Sequence, residues 1–569
     1  MTASTWLRAA LLSFLTSCAA SAQEPPPAGD ALPARLRATV AGWNDGRFRG
    51  AVLVARGAEV LLADGFGPAD PDAPDGARMT ARTLFDSGSV SKQFTAAAAL
   101  RLHVAGVLRL DDPISRHLPG VPADKAKLTL RHLLDHSSGI ARWVNFSSAA
   151  FERRDALVAD ILAAPLERPI GAEFDYSNLN YFLAAALIER ASGRPFERVL
   201  EEDVFAPAGL ADTGFVEDED LRDRPLSARV FHVEDERGGP TGEVVNTTVL
   251  DYSNMWGNKG ATGVVTTVLD LHRWDRALAG DALFDAAAKA ELFRSGPGGY
   301  ALGWFVDETL TGARRVQHSG STRGYTAQLT RLVDDDVVIA VLADEDGDAP
   351  GLANRLELAL LAARAATSPE TLRACEGTWE LRAGDVVRGR FVVAVDGAQL
   401  VLRARGAEAA CRVLYGVSHL PDWPGMFERV CAEAEAALGE LSAGAGPDTA
   451  LRRAWQAITG GEKPARVEVV GSHTGEDLVT YAEVARTDGP PVLVRLTWAG
   501  RGRIGALEPA EGPSPFVTVM IPTGPRAFAG RSLAGARLRL ELDADGDRLT
   551  WFDETAGEED AGVVLTRGR

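Results

Sequence analysis

Lysine is nearly missing from this chain. Only Lys92, Lys125, Lys127, Lys259, Lys289 and Lys463 occur among the 60 basic residues of a 569-residue sequence. Arginine carries the positive charge elsewhere, and arginine keeps its proton inside a protein, whereas a buried ammonium can lose one. A lysine that survives this bias beside a nucleophile therefore points to chemistry. Blocks of basic residues are lacking too, and with a formal net charge of -19 nucleic acid is not an expected partner. Cysteine is scarce. Beyond Cys18 there are only Cys375, Cys411 and Cys431, without paired ligand spacing. These three permit one disulfide in an oxidising compartment but do not choose the pair. After residue 22 no apolar run reaches the length of a bilayer.

What is present begins with a leader. Met1 to Ala22 combines Arg8, an apolar run from Ala9 to Leu15 and the small-residue end Ala20-Ser21-Ala22, the pattern of an export signal. Cleavage there leaves Gln23 first and is the favoured reading, while Leu15-Thr16-Ser17-Cys18 also resembles a lipobox that leaves a lipidated Cys18, the one route to membrane anchoring. The expected location is periplasmic or extracellular under either reading. A Pro-rich linker, residues 23–31, follows. The 46% hydrophobic content and the length suit two or three domains with real cores.

From residue 32 the pattern predicts a helix over Leu32–Trp43 and a hairpin of Gly50–Arg56 with Glu59–Ala63. Helices follow at Phe94–Ala105, Leu130–Leu134, Asp155–Ala163 and Asn180–Ala191. Strand character returns at Tyr300–Asp307, Arg315–Gln317, Thr326–Leu332 and Val337–Leu342, before a last helix at Leu352–Ala366. Strands at both ends with helices between imply an α/β (α+β) domain, 32–368. Its antiparallel sheet draws on distant parts of the chain, and the helical middle forms an inserted lobe. Residues 369–569 read as a separate β-rich, barrel-like region, with an α+β insertion at about 420–510 that includes helices at Met426–Leu438 and Thr449–Ile458.

Ser89 and Lys92, three residues apart at the head of an Ala-rich apolar run, share one face of a helix, so the amine reaches the hydroxyl. Tyr176-Ser177-Asn178 lies just before the helix at Asn180 and projects a phenol and an amide from the helical lobe. His318-Ser319-Gly320 ends a strand, where Gly320 lets a substrate backbone lie close. His132 and His136 stand four apart, but no third ligand completes a metal site, and no cofactor motif occurs. Lys259 reads as a solvated loop lysine near the cleft.

Together these three motifs resemble the signatures of the penicillin-recognising serine hydrolases. The branch is that of class C-type β-lactamases, D-aminopeptidases, D-alanyl-D-alanine carboxypeptidases and family VIII-type esterases. Leu110-Asp111-Asp112-Pro113, His117-Leu118-Pro119, Leu133 to Ile140 and Gly299 to Trp304 resemble that family's linking segments, and the likeness covers Leu32 to Ala366. The resemblance implies a β-lactamase/transpeptidase-like fold in which Ser89 attacks a carbonyl, Lys92 accepts its proton and Tyr176 relays protons. Asn178 binds substrate, and His318 positions substrate or passes protons. The N–H groups of Ser89 and Ser321 hold the oxyanion. Whether a neutral Lys92 or a Tyr176 phenolate is the base stays open.

Many β-lactamases carry lysine where His318 stands, and histidine is only conditionally charged. The expected activity is therefore an exported serine hydrolase acting on amides or esters of small acyl or D-amino-acid compounds. β-Lactamase is the alternative, and a catalytically silent ligand-binding sensor the alternative from another class. The C-terminal region resembles the lipocalin-like appendages of some members, and Arg466 to Pro509 faintly resembles a cystatin or NTF2-like fold. Oligomeric state is not legible.

Overall fold

Gly50–Arg56 reads Gly-Ala-Val-Leu-Val-Ala-Arg, with no polar alternation, and forms a strand (β1) buried along almost its whole length. A strand of this kind needs neighbours on both edges. β1 pairs with β2 (Glu59–Phe66) on one side and with β8 (Val337–Asp344), nearly three hundred residues later, on the other. The sheet continues through β7 (Tyr325–Leu332) and β6 (Arg314–Thr322) to β5 (Phe305–Glu308), giving the antiparallel order β2-β1-β8-β7-β6-β5. The computed structural model describes residues 32–568 apart from 44–47, 70–76, 148–149, 151–152, 216–255, 257, 323, 345–346, 363–367, 384, 397, 416–422, 445–448, 475–477, 488–490, 500–502, 511–516, 533–536 and 554–562. The leader, Cys18 and the linker lie outside these residues.

A helix, α1 (Leu32–Ala41), precedes β1, and between β2 and β5 the chain is mainly helical, including α2 (Ser91–Val104), α3 (Leu130–Leu134), α4 (Arg154–Ala163) and α5 (Asn178–Ser192). A two-residue strand, β3 (Phe85–Asp86), pairs with β4 (Val265–Thr266) at the root of this lobe. α2 is buried on every side from Ser91 to Leu100, which its alanines allow by letting neighbours approach closely. α5 is likewise buried from Leu179 to Ile188. This places Lys92 in the interior. α6 (Val268–Ala279) follows β4, and α7 (Ala349–Ala362) follows β8.

The chain divides into two compact units, one of Leu36–Leu361 and one built from Ala362–Ala510 with Ser514–Arg569. In the second, α8 (Pro369–Cys375) leads into a closed eight-stranded barrel. Its strands are β9 (Gly377–Ala383), β10 (Val386–Asp396), β11 (Gln399–Arg405), β16 (Val517–Pro522), β17 (Ala527–Arg531), β18 (Arg537–Leu542), β19 (Arg548–Asp553) and β20 (Val563–Arg567). Trp379, Phe391, Leu402, Met520, Leu540 and Trp551 are among the buried side chains of its core. Between β11 and β16 lies the insertion: helices α9 (Ala407–Tyr415), α10 (Trp423–Ser442) and α11 (Thr449–Thr459), and a four-stranded sheet of β12 (Arg466–Thr474), β13 (Leu478–Ala485), β14 (Val492–Trp498) and β15 (Ile504–Pro509). Of these helices α9 packs on the barrel, with Ala409, Ala410 and Val413 in the barrel's buried core. Cys375 and Cys431 are free, buried thiols. Every pair among Cys375, Cys411 and Cys431 includes one of them, so the disulfide allowed by the sequence is not formed. Burial raises both thiols, to about 12 and about 11. No helix of the described residues is long and apolar enough to cross a membrane.

Candidate active site

Ser89 sits in a single 3₁₀ turn, Gly88–Val90, that runs directly into α2, so it precedes the α-helix rather than opening it. Three contacts fix this turn. The Asp86 carboxylate accepts the Gly88 N–H at 2.8 Å. The Ser87 N–H and hydroxyl both reach the Val264 carbonyl, at 3.0 and 2.8 Å. Gly88 has φ +51°, and a Cβ there would come within 2.7 Å of the Ser321 nitrogen, so the turn lies against β6. Burial pushes the Asp86 carboxyl up to about 6.

Lys92, in the first turn of α2 and fully buried, places its Nζ 2.9 Å from each of three oxygens: Ser89 Oγ, Asn178 Oδ1 and the Ala261 carbonyl. Among the described residues no carboxylate pairs with it. Burial without a counter-ion pushes this amine well below the ordinary lysine value. An amide oxygen and a carbonyl can only accept. A neutral amine satisfies both with its two N–H groups and turns its lone pair toward the one partner that can donate, the Ser89 hydroxyl.

Ser177, not Asn178, is the N-cap of α5, accepting the Leu179 N–H on its side chain, and Asn178 is already the first helical residue. The cap aims Asn178 Oδ1 inward at Lys92, while the residue itself is exposed. Tyr176, just upstream, brings its phenol beside the Ser89 side chain, and Lys92 Nζ lies 5.0 Å from its ring centre. Burial pushes the phenol up to about 12, so it keeps its proton across the working pH range. Between a neutral amine and a phenolate, both shifts favour the amine.

His318 lies within β6, which runs on to Thr322 instead of ending at Gly320. Its ring is occupied on both sides. Nε2 is 2.8 Å from the Tyr300 hydroxyl and Nδ1 is 2.6 Å from the Ser319 carbonyl. A carbonyl only accepts, so the proton sits on Nδ1 and Tyr300 donates to Nε2. Burial above all lowers its pKa from 6.5 to about 3. The imidazole is thus a neutral, fixed group, and the expected conditional charge and proton-passing role do not suit it. The role foreseen for Gly320 also changes. A Cβ there would fall 2.1 Å from the Ser87 carbonyl, so the missing side chain admits the protein's own nucleophile turn. Gly320→Ala is expected to cost about 1–3 kcal/mol through this clash, read as a lower midpoint in urea unfolding; an unchanged midpoint would contradict the packing. Ser321 is exposed, in register with Thr326 of β7. β5 pairs with β6 only from Arg314 to Gln317, so beyond that point β5 does not line this edge.

Lys259 is neither solvated nor among the Lys92 contacts, for it pairs with Glu197 and stands 4.9 Å over the Trp256 ring. His132 uses Nδ1 in the capping box of α3 with Thr129, and His136 uses Nδ1 as acceptor from the Ser177 N–H. The Nδ1 atom of each ring is thereby taken by protein groups. Sequence reasoning missed Asp86, Tyr300 and the Ala261 carbonyl. The last had a faint signal in its flanking glycines: Gly260 has φ +86°, and a Cβ there would sit 2.4 Å from the Tyr181 carbonyl. Thr95 holds the Gly260 carbonyl at 2.8 Å and Ser91 accepts the Val264 N–H at 3.2 Å, stitching this loop along α2.

A family model described as Beta-lactamase matches residues 35–364. Penicillin-binding protein 4* of Bacillus subtilis is 29% identical over 318 residues, covering 53% of this chain and 69% of that protein. Esterase EstB of Burkholderia gladioli is 34% identical over 196 residues, 31% of this chain and 49% of the esterase. A D-aminopeptidase of Cereibacter sphaeroides is 26% identical over 330 residues, 55% of this chain and 60% of that enzyme. The chain thus spans less than two thirds of the latter two.

Proposed function

Because the chain belongs to the beta-lactamase family of serine hydrolases, we propose that it cleaves amide or ester bonds of small acyl or D-amino-acid compounds through an acyl-enzyme on Ser89. One observation carries this reading: an amine with no counter-ion among the described residues, 2.9 Å from the Ser89 hydroxyl, whose other two partners can only accept. Ser89 Oγ attacks the substrate carbonyl carbon as its proton passes to Lys92 Nζ. The tetrahedral oxygen is held by the N–H groups of Ser89 and Ser321. As the bond to the leaving group breaks, the Tyr176 phenol gives that group its proton and is reloaded from the Lys92 ammonium. Water then attacks the acyl carbon by the reverse proton path and frees Ser89. Asn178, with Oδ1 engaged by Lys92, keeps its amide N–H groups for the substrate.

The neutral His318 favours uncharged acyl groups over substrates that need a fixed cation for a carboxylate, which places β-lactam hydrolysis second. A fluorophosphonate probe should label Ser89, as located by peptide mass mapping. p-Nitrophenyl esters or D-alanine p-nitroanilide should turn over faster than a chromogenic cephalosporin. Folded protein that resists the probe would make this a silent binder, and faster cephalosporin hydrolysis would make it a β-lactamase.

A further inference from the structure

Among the described residues His136, Asp336 and Asp348 combine a side chain with positive φ, and of these only His136 is buried. His136 follows the C-cap of α3 with φ +57°, the left-handed conformation in which glycine usually ends a helix. Among non-glycine residues such an outlier persists where the surroundings over-determine it, and it invites a functional explanation.

The surroundings of His136 are those of Tyr176. The His136 carbonyl accepts the Asp175 N–H at 2.8 Å, and its Nδ1 accepts the Ser177 N–H at 3.2 Å, so both peptide neighbours of Tyr176 are tied to one residue. Asn180 supports the same nitrogen. Its Oδ1 takes the Ser138 hydroxyl at 2.6 Å, which turns its amide nitrogen toward Nδ1 at 3.0 Å and fixes Nδ1 as an acceptor. The imidazole lies 4.3 Å from the Tyr176 ring and 4.8 Å from the ring of Tyr300, which holds His318. Nε2, carrying the hydrogen, is buried without a hydrogen-bond partner in this aromatic cluster. Glycine would meet the backbone demand and asparagine would tolerate it, but neither supplies both acceptor and ring.

We infer that His136 is a positioning residue that sets the Tyr176 phenol against Ser89 through the two backbone hydrogen bonds bracketing Tyr176 and through ring contact. The inference rests on the proposed role of Tyr176 as proton donor to the leaving group. His136→Gly should relieve the backbone strain while removing the acceptor and the ring. Its kcat toward an anilide should fall on the order of 100-fold, as for misplaced catalytic groups, with KM little changed, and its loss on an activated p-nitrophenyl ester should be much smaller. His136→Asn, whose amide oxygen can stand in for Nδ1, should recover part of the anilide rate. In a Tyr176→Phe background, His136→Gly should cost almost nothing more, because the two act on one step.

Equal losses on both substrates, or full additivity with Tyr176→Phe, would make His136 merely structural and overturn the inference. If His136→Gly does not fold, the same cycle run with His136→Asn decides the question. If Tyr176→Phe itself shows no preference between the two leaving groups, the reading of Tyr176 has failed instead, and the two failures are told apart.

Discussion

Lys92→Met is expected to lower kcat/KM by about 10⁴-fold, the upper range for loss of a general base, and to abolish probe labelling of Ser89. Methionine fills much of the volume but offers no lone pair of comparable basicity. Arginine would carry a proton it cannot give up. The same substitution has a thermodynamic signature. A lysine whose folded pKa is depressed binds fewer protons in the folded than in the unfolded state between the two values, so stability rises with pH through that window. The window opens at the depressed value of Lys92 and closes near the ordinary lysine pKa of about 10.4. Wild-type stability minus that of Lys92→Met should therefore climb with pH inside this window, with a slope approaching about 1.4 kcal/mol per pH unit. Urea unfolding of both proteins at several pH values measures it. A difference that stays flat would mean that Lys92 is charged in the fold, and the proton-acceptor role would fall.

Tyr176→Phe separates substrates by their leaving groups. p-Nitrophenolate departs as an anion at neutral pH, whereas an anilide nitrogen must gain a proton before it leaves. With the phenol held near 12 it carries that proton at every working pH. Removing it should slow the anilide by about 10²–10⁴-fold and the activated ester by less than about tenfold. Parallel kinetics on p-nitroanilide and p-nitrophenyl substrates give the ratio. Equal slowing of both would remove Tyr176 from leaving-group protonation and leave it a packing partner of Ser89.

The groups that meet around Lys92 were legible because their chemistry demands particular side chains: a hydroxyl, an amine that can lose a proton, a phenol and an amide, from two motifs distant in one domain. The sheet built from both ends of that domain was legible in the same way, since β1 and β8 are continuous apolar runs. The state of His318 was not, because it depends on Tyr300 being brought to Nε2 by the fold, and on a burial that no local pattern announces. The Ala261 carbonyl left no side-chain mark, since any residue supplies a carbonyl. Gly320 announced a close approach but not by what. In the C-terminal unit, Arg537–Leu542 declared itself by strict alternation of buried and half-buried residues. Ala527–Arg531 and Val563–Arg567, short and flanked by turn residues, became strands only because the barrel supplies partners on both edges.

The barrel joins its last strand to its first, with Leu565 opposite Leu381, while its third and fourth staves stand on either side of the whole insertion. Closing a ring across so long a stretch of free chain is entropically unfavourable. The insertion shortens that stretch. Its own sheet forms from consecutive chain, and it grips both of its exits, Gly406 donating to the Val470 carbonyl at 2.9 Å and Ala510 to that of Leu493 at 2.8 Å. Its two exits are thus held on β12 and β14, with only β13 between them, and the third and fourth staves are tied to one small sheet.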